Sequence, residues 1–242
     1  MVIEGPPHVL FGTAHLITLA VIAAVCLLGP WALRSWLPER GVRGFAVFLA
    51  VSLVVHKLAE IWVKMAYLGL SLPQSLPLHL CGIAVFLTAY VLITRHAATY
   101  DLIYFWGLGG TVQALLTPDL PVGYPHPIYV NFFISHGAIL FGISFATVIY
   151  GLRPTWASLK RAFIALNLLA LSIGCVNWLA GTNYMFLCHK PRNTSSLLDY
   201  FGPWPWYILV LEGIALVLFT LVYLPWAVRD RWFSGRAEGA QP

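Results

Sequence analysis

Residues 74–81 read Gln-Ser-Leu-Pro-Leu-His-Leu-Cys and stand at the entrance of an apolar run that continues to about residue 95. In a soluble helix such polar residues would fall on a solvent-facing stripe. Here the run that follows has no polar face, and it is long enough to cross hydrocarbon, which takes roughly 20 helical residues. Gln74, His79 and Cys81 are therefore not kept for solvent, and the other unusual polar residues of the chain are measured against them.

Working outward, the 242 residues are 60% hydrophobic and only 10% charged, a composition of polytopic membrane proteins rather than soluble domains. The expectation is an all-α helix bundle forming a single transmembrane domain over 1–242. The formal net charge of +5 would suggest nucleic acid in a soluble protein. In this chain the Lys and Arg residues fall mostly between apolar runs, where they act as topology signals, so no nucleic-acid partner is expected. The four cysteines, Cys26, Cys81, Cys175 and Cys188, form no CxxC pair, which indicates neither a zinc ribbon nor a disulfide framework. No Lys or Arg precedes the first apolar run, which is therefore expected to be retained as a span rather than cleaved.

Apolar stretches of spanning length occur near 8–33, 44–70, 75–95, 99–117, 127–152, 158–182 and 204–227, predicting seven transmembrane helices. The fourth is the shortest and carries Gly107, Gly109 and Gly110, so six spans with a re-entrant fourth segment is the competing count. With the N-terminus outside, the inner segments hold Arg34, Arg40, Arg43, Arg95, Arg153, Lys160, Arg161, Arg229, Arg231 and Arg236, and the outer ones only Lys190 and Arg192. That ten-to-two asymmetry predicts an outer N-terminus and an inner C-terminus.

The remaining cations, Lys57 and Lys64, lie inside the second span with Glu60 and His56, at three- and four-residue spacing that lines one helix face. Intramembrane ionisable groups are costly and are functional candidates by default; the structural alternative is a Lys57–Glu60 ion pair that steadies the helices. Counting residues from the outer ends, His15, Glu60, Cys81, Gln113, His136, Asn177 and Glu212 each fall roughly 6–15 Å deep at 1.5 Å per residue. The expectation is a polar chamber in the outer half of the bundle over an apolar inner half.

Cys81 and His136 are the pair suited to nucleophilic chemistry, because a thiol attacks as thiolate and an imidazole within reach can take its proton. Glu60 or Glu212 is expected to orient that imidazole. Cys26 and Cys175 read as small buried hydrophobes. Candidate substrate contacts are His15, His79, Gln113, Asn131, Asn183, Tyr184 and Glu212, with Asn131 and Ser135 as candidate oxyanion donors. His79, two positions from Cys81, points to another side of the helix and also reads as an interface anchor. Trp204 and Trp206 suit an interfacial aromatic belt. The histidines and carboxylates at one level would also suit a metal, but no HxxxH or HExxH spacing supports a dedicated metal site.

Leu-Pro-Leu-His-Leu-Cys at 76–81, Gly-Leu-Gly-Gly-Thr-Val-Gln-Ala-Leu-Leu-Thr-Pro at 107–118, Ser-His at 135–136, Asn-Tyr-Met-Phe-Leu at 183–187 and Gly-Pro-Trp-Pro-Trp-Tyr at 202–207 resemble the YwaF-like integral membrane family. Its animal relatives are the transmembrane protein 164 acyltransferases, and the androgen-induced membrane lipid hydrolases are a more distant likeness. The resemblance implies a multi-pass protein of a prokaryotic cell membrane that moves acyl groups of phospholipids and lysophospholipids. It implies an acyl-thioester on Cys81, His136 as base, and no cofactor. Two other readings stand beside it: a non-catalytic transporter or receptor using the outer chamber, and a histidine-metal lipid hydrolase. The acyl acceptor and the oligomeric state are left open.

Overall fold

The computed structural model describes residues 5–190 and 197–238, and its regular structure is helical throughout. Helix α1 spans Thr13–Trp36, α2 Glu39–Leu68, α3 Leu72–Ser75, α4 Leu80–Thr94, α5 Ala97–Trp106, α6 Val112–Leu116, α7 Pro127–Ile149, α8 Trp156–Ala180 and α9 Trp206–Glu238. A π-helical turn, Gly107–Thr111, joins α5 to α6 without interruption. Among the described residues five helices, α1, α2, α7, α8 and α9, are long and apolar enough to cross a membrane. Helix α4 has 15 residues, about 22 Å of rise, because residues 76–79, expected inside the third span, are non-helical around Pro77.

Cross-helix bonds define two ends of the bundle. At one end His15 Nε2 meets the Leu115 carbonyl at 2.8 Å, Met185 N–H donates to His79 Nδ1, and Tyr184 hydroxyl reaches the Pro73 carbonyl. At the other, Arg34 reaches Val148, Tyr150 hydroxyl donates to the Leu92 carbonyl, and Arg153 pairs with Asp230. We call these the His79 end and the Arg95 end. Helices α4 and α7 both start at the His79 end and run side by side.

Helix α5 is the hub, packed against α4, α7 and α8, while α2 lies on α4 and α1 lies on α7. Little of the driving force comes from apolar burial alone, since lipid is as apolar as a leucine; small residues that permit close approach do the work instead. A Cβ at Gly107 would stand 2.2 Å from Ile143 Cδ1 of α7, and one at Gly142 would stand 2.4 Å from Thr88 Cγ2 of α4. These glycines let the π turn, α4 and α7 converge.

The Arg95 half, expected to be almost wholly apolar, is instead tied by hydrogen-bonded aromatics. Tyr100 hydroxyl meets Thr147 Oγ1 at 2.7 Å, Trp106 Nε1 donates to Ala162 O at 3.0 Å, and Trp226 Nε1 donates to Tyr104 Oη, which donates to Val222 O. Their apolar bodies fill the core with Ile103, Phe105, Ile139 and Phe145, while each polar tip finds a partner, which is how tyrosine and tryptophan are accommodated in a dry interior.

Chain entry to α4 is equally tight: a Cβ on Gly82 would stand 2.4 Å from the Pro77 carbonyl oxygen. Because backbone is the obstacle, Gly82→Ala is expected to lower stability by roughly 3 kcal/mol. Gly44→Ala, in α2 with nothing within 4 Å of the added methyl, is expected to be neutral or stabilising by about 1 kcal/mol. Thermal unfolding in detergent checks both, and equal melting temperatures for the two variants would contradict this packing.

Candidate functional site

Cys81 is the second residue of α4, so it lies in the first turn, with His79 as N-cap and no side-chain cap on that helix start. The expectation had put it six residues into a span; the Pro77 break brings it to the helix mouth instead. First-turn amide groups have no intrahelical partner and present positive partial charge there. The Cys81 sulfur also accepts a hydrogen bond from Thr111 Oγ1 at 3.9 Å. Thr111 is fully buried and closes the π turn, a distortion often found at functional sites.

Helix α7 brings His136 to the same level. Cys81 lies seven residues and His136 six residues ahead of the Thr88–Gly142 contact, so both sit about 10 Å from it toward the His79 end. His136 falls on the same stripe of α7 as Ile139 and Ile143, the residues that meet Gly107, and therefore faces the π turn and α6. Its Nδ1 bonds the Phe132 carbonyl at 2.7 Å, and its ring stacks on Phe132 with centroids 4.1 Å apart. A carbonyl can only accept, so Nδ1 carries the proton and Nε2 of the neutral ring is left as the acceptor. No hydrogen bond joins Cys81 to His136.

The orienting group of His136 is thus a backbone carbonyl and not one of the expected carboxylates. Glu60 is held within its own helix, Oε2 at 2.5 Å from Lys57 Nζ and Oε1 at 2.7 Å from Lys64 Nζ. Lys57 is buried, and α2 lies against α4, the helix that begins beside Cys81. Glu212 lies elsewhere, on the α8–α9 seam, where it accepts from Asn167 Nδ2 at 3.0 Å.

The other candidates mostly close on their neighbours. His15 is buried with both ring nitrogens in use, Nδ1 accepting from Phe11 N–H and Nε2 donating to Leu115 O, so it straps α1 to α6. Beside it, burial and the neighbouring His15 ring hold the His8 imidazole below its ordinary range. Gln113 donates to Thr117 within its own turn, and Asn131 is exposed on α7, whereas Ser135 is buried. The Asn183 amide gathers the backbone of Cys188 and His189. Tyr184 is clasped by Asn177, which bonds both its backbone N–H and its carbonyl. Burial raises the Tyr184 hydroxyl above the ordinary phenol range, and it stays protonated to donate to Pro73 O at 2.5 Å.

Residues 184–186 form a tight turn with Met185 and Phe186 at positive φ, laid over His79. The His79 ring meets Tyr184 and Phe186 at centroid distances of 5.2 and 5.5 Å. Phe186 is in turn fastened to Tyr207, and Leu187 to Trp204. The expected aromatic belt is therefore also a clasp on this turn. Cys26 is partly buried, with its thiol against Gly137 O, while Cys175 and Cys188 are exposed. Arg192, counted among the outer cations, lies outside the described residues.

A single open chamber is not what these polar groups make. Two cavities are apolar grooves, about 330 Å³ between α1 and α7 and about 420 Å³ between α2 and α4. Neither is lined by Cys81, Glu60 or His136. Several polar side chains at the His79 end are bonded to one another or to carbonyls. Among the described residues no three His, Cys, Asp or Glu side chains converge as a metal-binding group. Sequence reasoning passed over Thr111, although the spacing of a hydroxyl after three glycines in an apolar run was a usable signal; it passed over Lys57 as a site residue because its Glu60 neighbour explained it.

No solved structure matches this chain. A protein of Treponema pallidum (strain Nichols), described as uncharacterized, is 26% identical over 218 residues, which cover 89% of this chain and 88% of the relative. The model of the TMEM164 family matches residues 10–223, a stretch that includes Cys81, Thr111, His136 and the helices that carry them. The chain is a membrane protein and belongs to the TMEM164 family.

Proposed function

We propose that this protein is a membrane-embedded acyl-transfer enzyme acting on phospholipids, with Cys81 as nucleophile and His136 as its base. The observation that carries the reading is the setting of the Cys81 thiol: first turn of a helix, with a buried hydroxyl donating to the sulfur. First-turn amides and a hydroxyl donor both favour negative charge on sulfur. The Nε2 of His136 is the acceptor nitrogen, as a base requires.

The chemistry runs in two balanced steps. The thiol proton passes to His136 Nε2, the sulfur bonds to the acyl carbonyl carbon, and the ester C–O bond breaks as the imidazolium returns its proton to the departing lysolipid oxygen. The hydroxyl of a second lysophospholipid, or water, then loses its proton to His136 and attacks the thioester carbon, and the C–S bond breaks as the imidazolium returns that proton to the Cys81 sulfur. The gap between Cys81 and His136 closes on substrate arrival, since catalytic hydrogen bonds often tighten only in the substrate complex. Phe132 O and Thr111 act as positioning groups, and no soluble cofactor enters either step.

The same reading gives the chain seven spans. Helices α5 and α6 with the π turn make a continuous Ala97–Leu116 segment, about 30 Å long, and α4 with residues 76–79 completes another crossing. The N-terminus and the His79 end face outward by the Lys and Arg asymmetry. The bacterial relative favours a YwaF-like member in a prokaryotic cell membrane.

Purified protein incubated with acyl-labelled phospholipid is expected to carry a hydroxylamine-sensitive label at Cys81. Cys81→Ala removes label and turnover, and His136→Ala lowers turnover by at least about a hundredfold, with folded yields nearly unchanged. Thr111→Val costs about fivefold, the value of one hydrogen bond of roughly 1 kcal/mol, and Cys175→Ala costs nothing. A fully active Cys81→Ala protein would overturn the reading and favour a binding protein. For topology, reporter fusions are expected to place the two termini on opposite faces of the membrane, and termini on one face would refute seven spans.

A further inference from the structure

Helix α2 carries a charge arrangement that the two-step chemistry does not use. Lys57 and Lys64 share one carboxylate, Glu60, through bonds of 2.5 and 2.7 Å, so the three side chains together bear one net positive charge. Their exposures grade along the helix: the Lys57 side chain is 9% exposed, Glu60 21% and Lys64 36%. Lys64 lies four residues from the end of α2 and Lys57 eleven, about 6 and 16 Å along the axis. Exposure therefore rises along the cluster toward the end of α2, and the cluster opens at Lys64. The opposite face of α2, with Val55, Leu58 and Trp62, is exposed as lipid-facing residues are.

An uncompensated ammonium within hydrocarbon is expensive, and a structural ion pair would be complete with Lys57 and Glu60 alone. Lys64 adds the surplus. Helix α2 lies against α4, whose start carries Cys81 with His79 as its cap. The surplus charge and the thiol are thus carried by adjoining helices, α2 and α4.

We propose that Lys64, with Lys57 and Glu60 behind it, is a seat for the singly charged phosphodiester of a phospholipid. Lysine is a compact point charge suited to phosphate, and one phosphodiester neutralises the cluster. Glu60 tunes the seat: it keeps Lys57 in the apolar bundle and limits the net charge to one, which matches a phosphodiester and not a dianionic phosphate. The seat names the substrate group that precedes acyl transfer, and it rests on that reading only for the identity of the ester beyond it.

The test separates binding from turnover by using full-length Cys81→Ser protein in neutral detergent. Thermal unfolding is followed while titrating dihexanoylphosphatidylcholine, dihexanoylglycerol or inorganic phosphate. A saturable rise in melting temperature is expected with the phospholipid and with neither other ligand. Lys64→Gln is expected to weaken it by about tenfold, as loss of a charge-assisted bond does, and Lys64→Arg to retain it. Glu60→Gln is expected to tighten it, whereas a merely structural Glu60 would weaken it when removed. Equal binding of dihexanoylglycerol, equal binding of free phosphate, or an unchanged Lys64→Gln protein would each overturn the lipid seat. Lys64-dependent binding by a protein that forms no adduct at Cys81 would retain the seat and discard the acyl chemistry.

Discussion

Side chains seated directly on Gly107 and Gly142 are the constraint on which the site depends. In lipid there is no hydrophobic reward for bringing two apolar helices together, so the helices must fit. Ile143 enters the space above Gly107 and Thr88 the space above Gly142, and those two contacts pin α4, α7 and the π turn to a common axis. Each of the three contributes one polar group a short distance farther along: Cys81, His136 and Thr111. Methyl groups at either glycine would separate the supports before they touched the chemistry.

Most polar groups around this axis find a partner close at hand, as a lipid setting demands, with the buried Thr88 Oγ1 as an exception. Histidine supplies the clearest contrast. His15 uses both nitrogens as a strap between α1 and α6, whereas His136 spends only Nδ1 on the Phe132 carbonyl. The same residue type at a similar depth is structural in one helix and equipped to take a proton in another, and the difference lies in which carbonyl is near.

Much of the architecture was legible because apolar length is written directly into the chain: α1, α7 and α8 fall close to where runs of small and aliphatic residues put them. The break at Pro77 was not legible from apolar length alone: it shortens the third span and moves Cys81 to a helix mouth. The level shared by Cys81 and His136 was also legible, since it needs only residue counting. Partner choice was not. Glu60 looked free to orient an imidazole until Lys64 proved to reach it one turn away, and Asn183 and Tyr184 looked like lipid contacts until the turn at 184–189 folded back on them. Such pairings depend on which helices adjoin, and a hydropathy pattern does not encode that.

The way Glu60 is satisfied bears on how the chain enters a membrane. Helices α1 and α7 are joined by bonds that bridge more than a hundred residues, such as Ser144 to Cys26 and Tyr129 to Thr18, so α1 must wait in the bilayer while most of the protein is still being synthesised. It can do so because only His15 and Pro30 of that helix end up buried. Helix α2 would be a worse lone passenger, with three ionised side chains in one stretch, had their partners lain on other helices. Since Lys57, Glu60 and Lys64 are bonded within a single helix, the cluster leaves the insertion machinery already paired, and this charged segment can cross as an ordinary span.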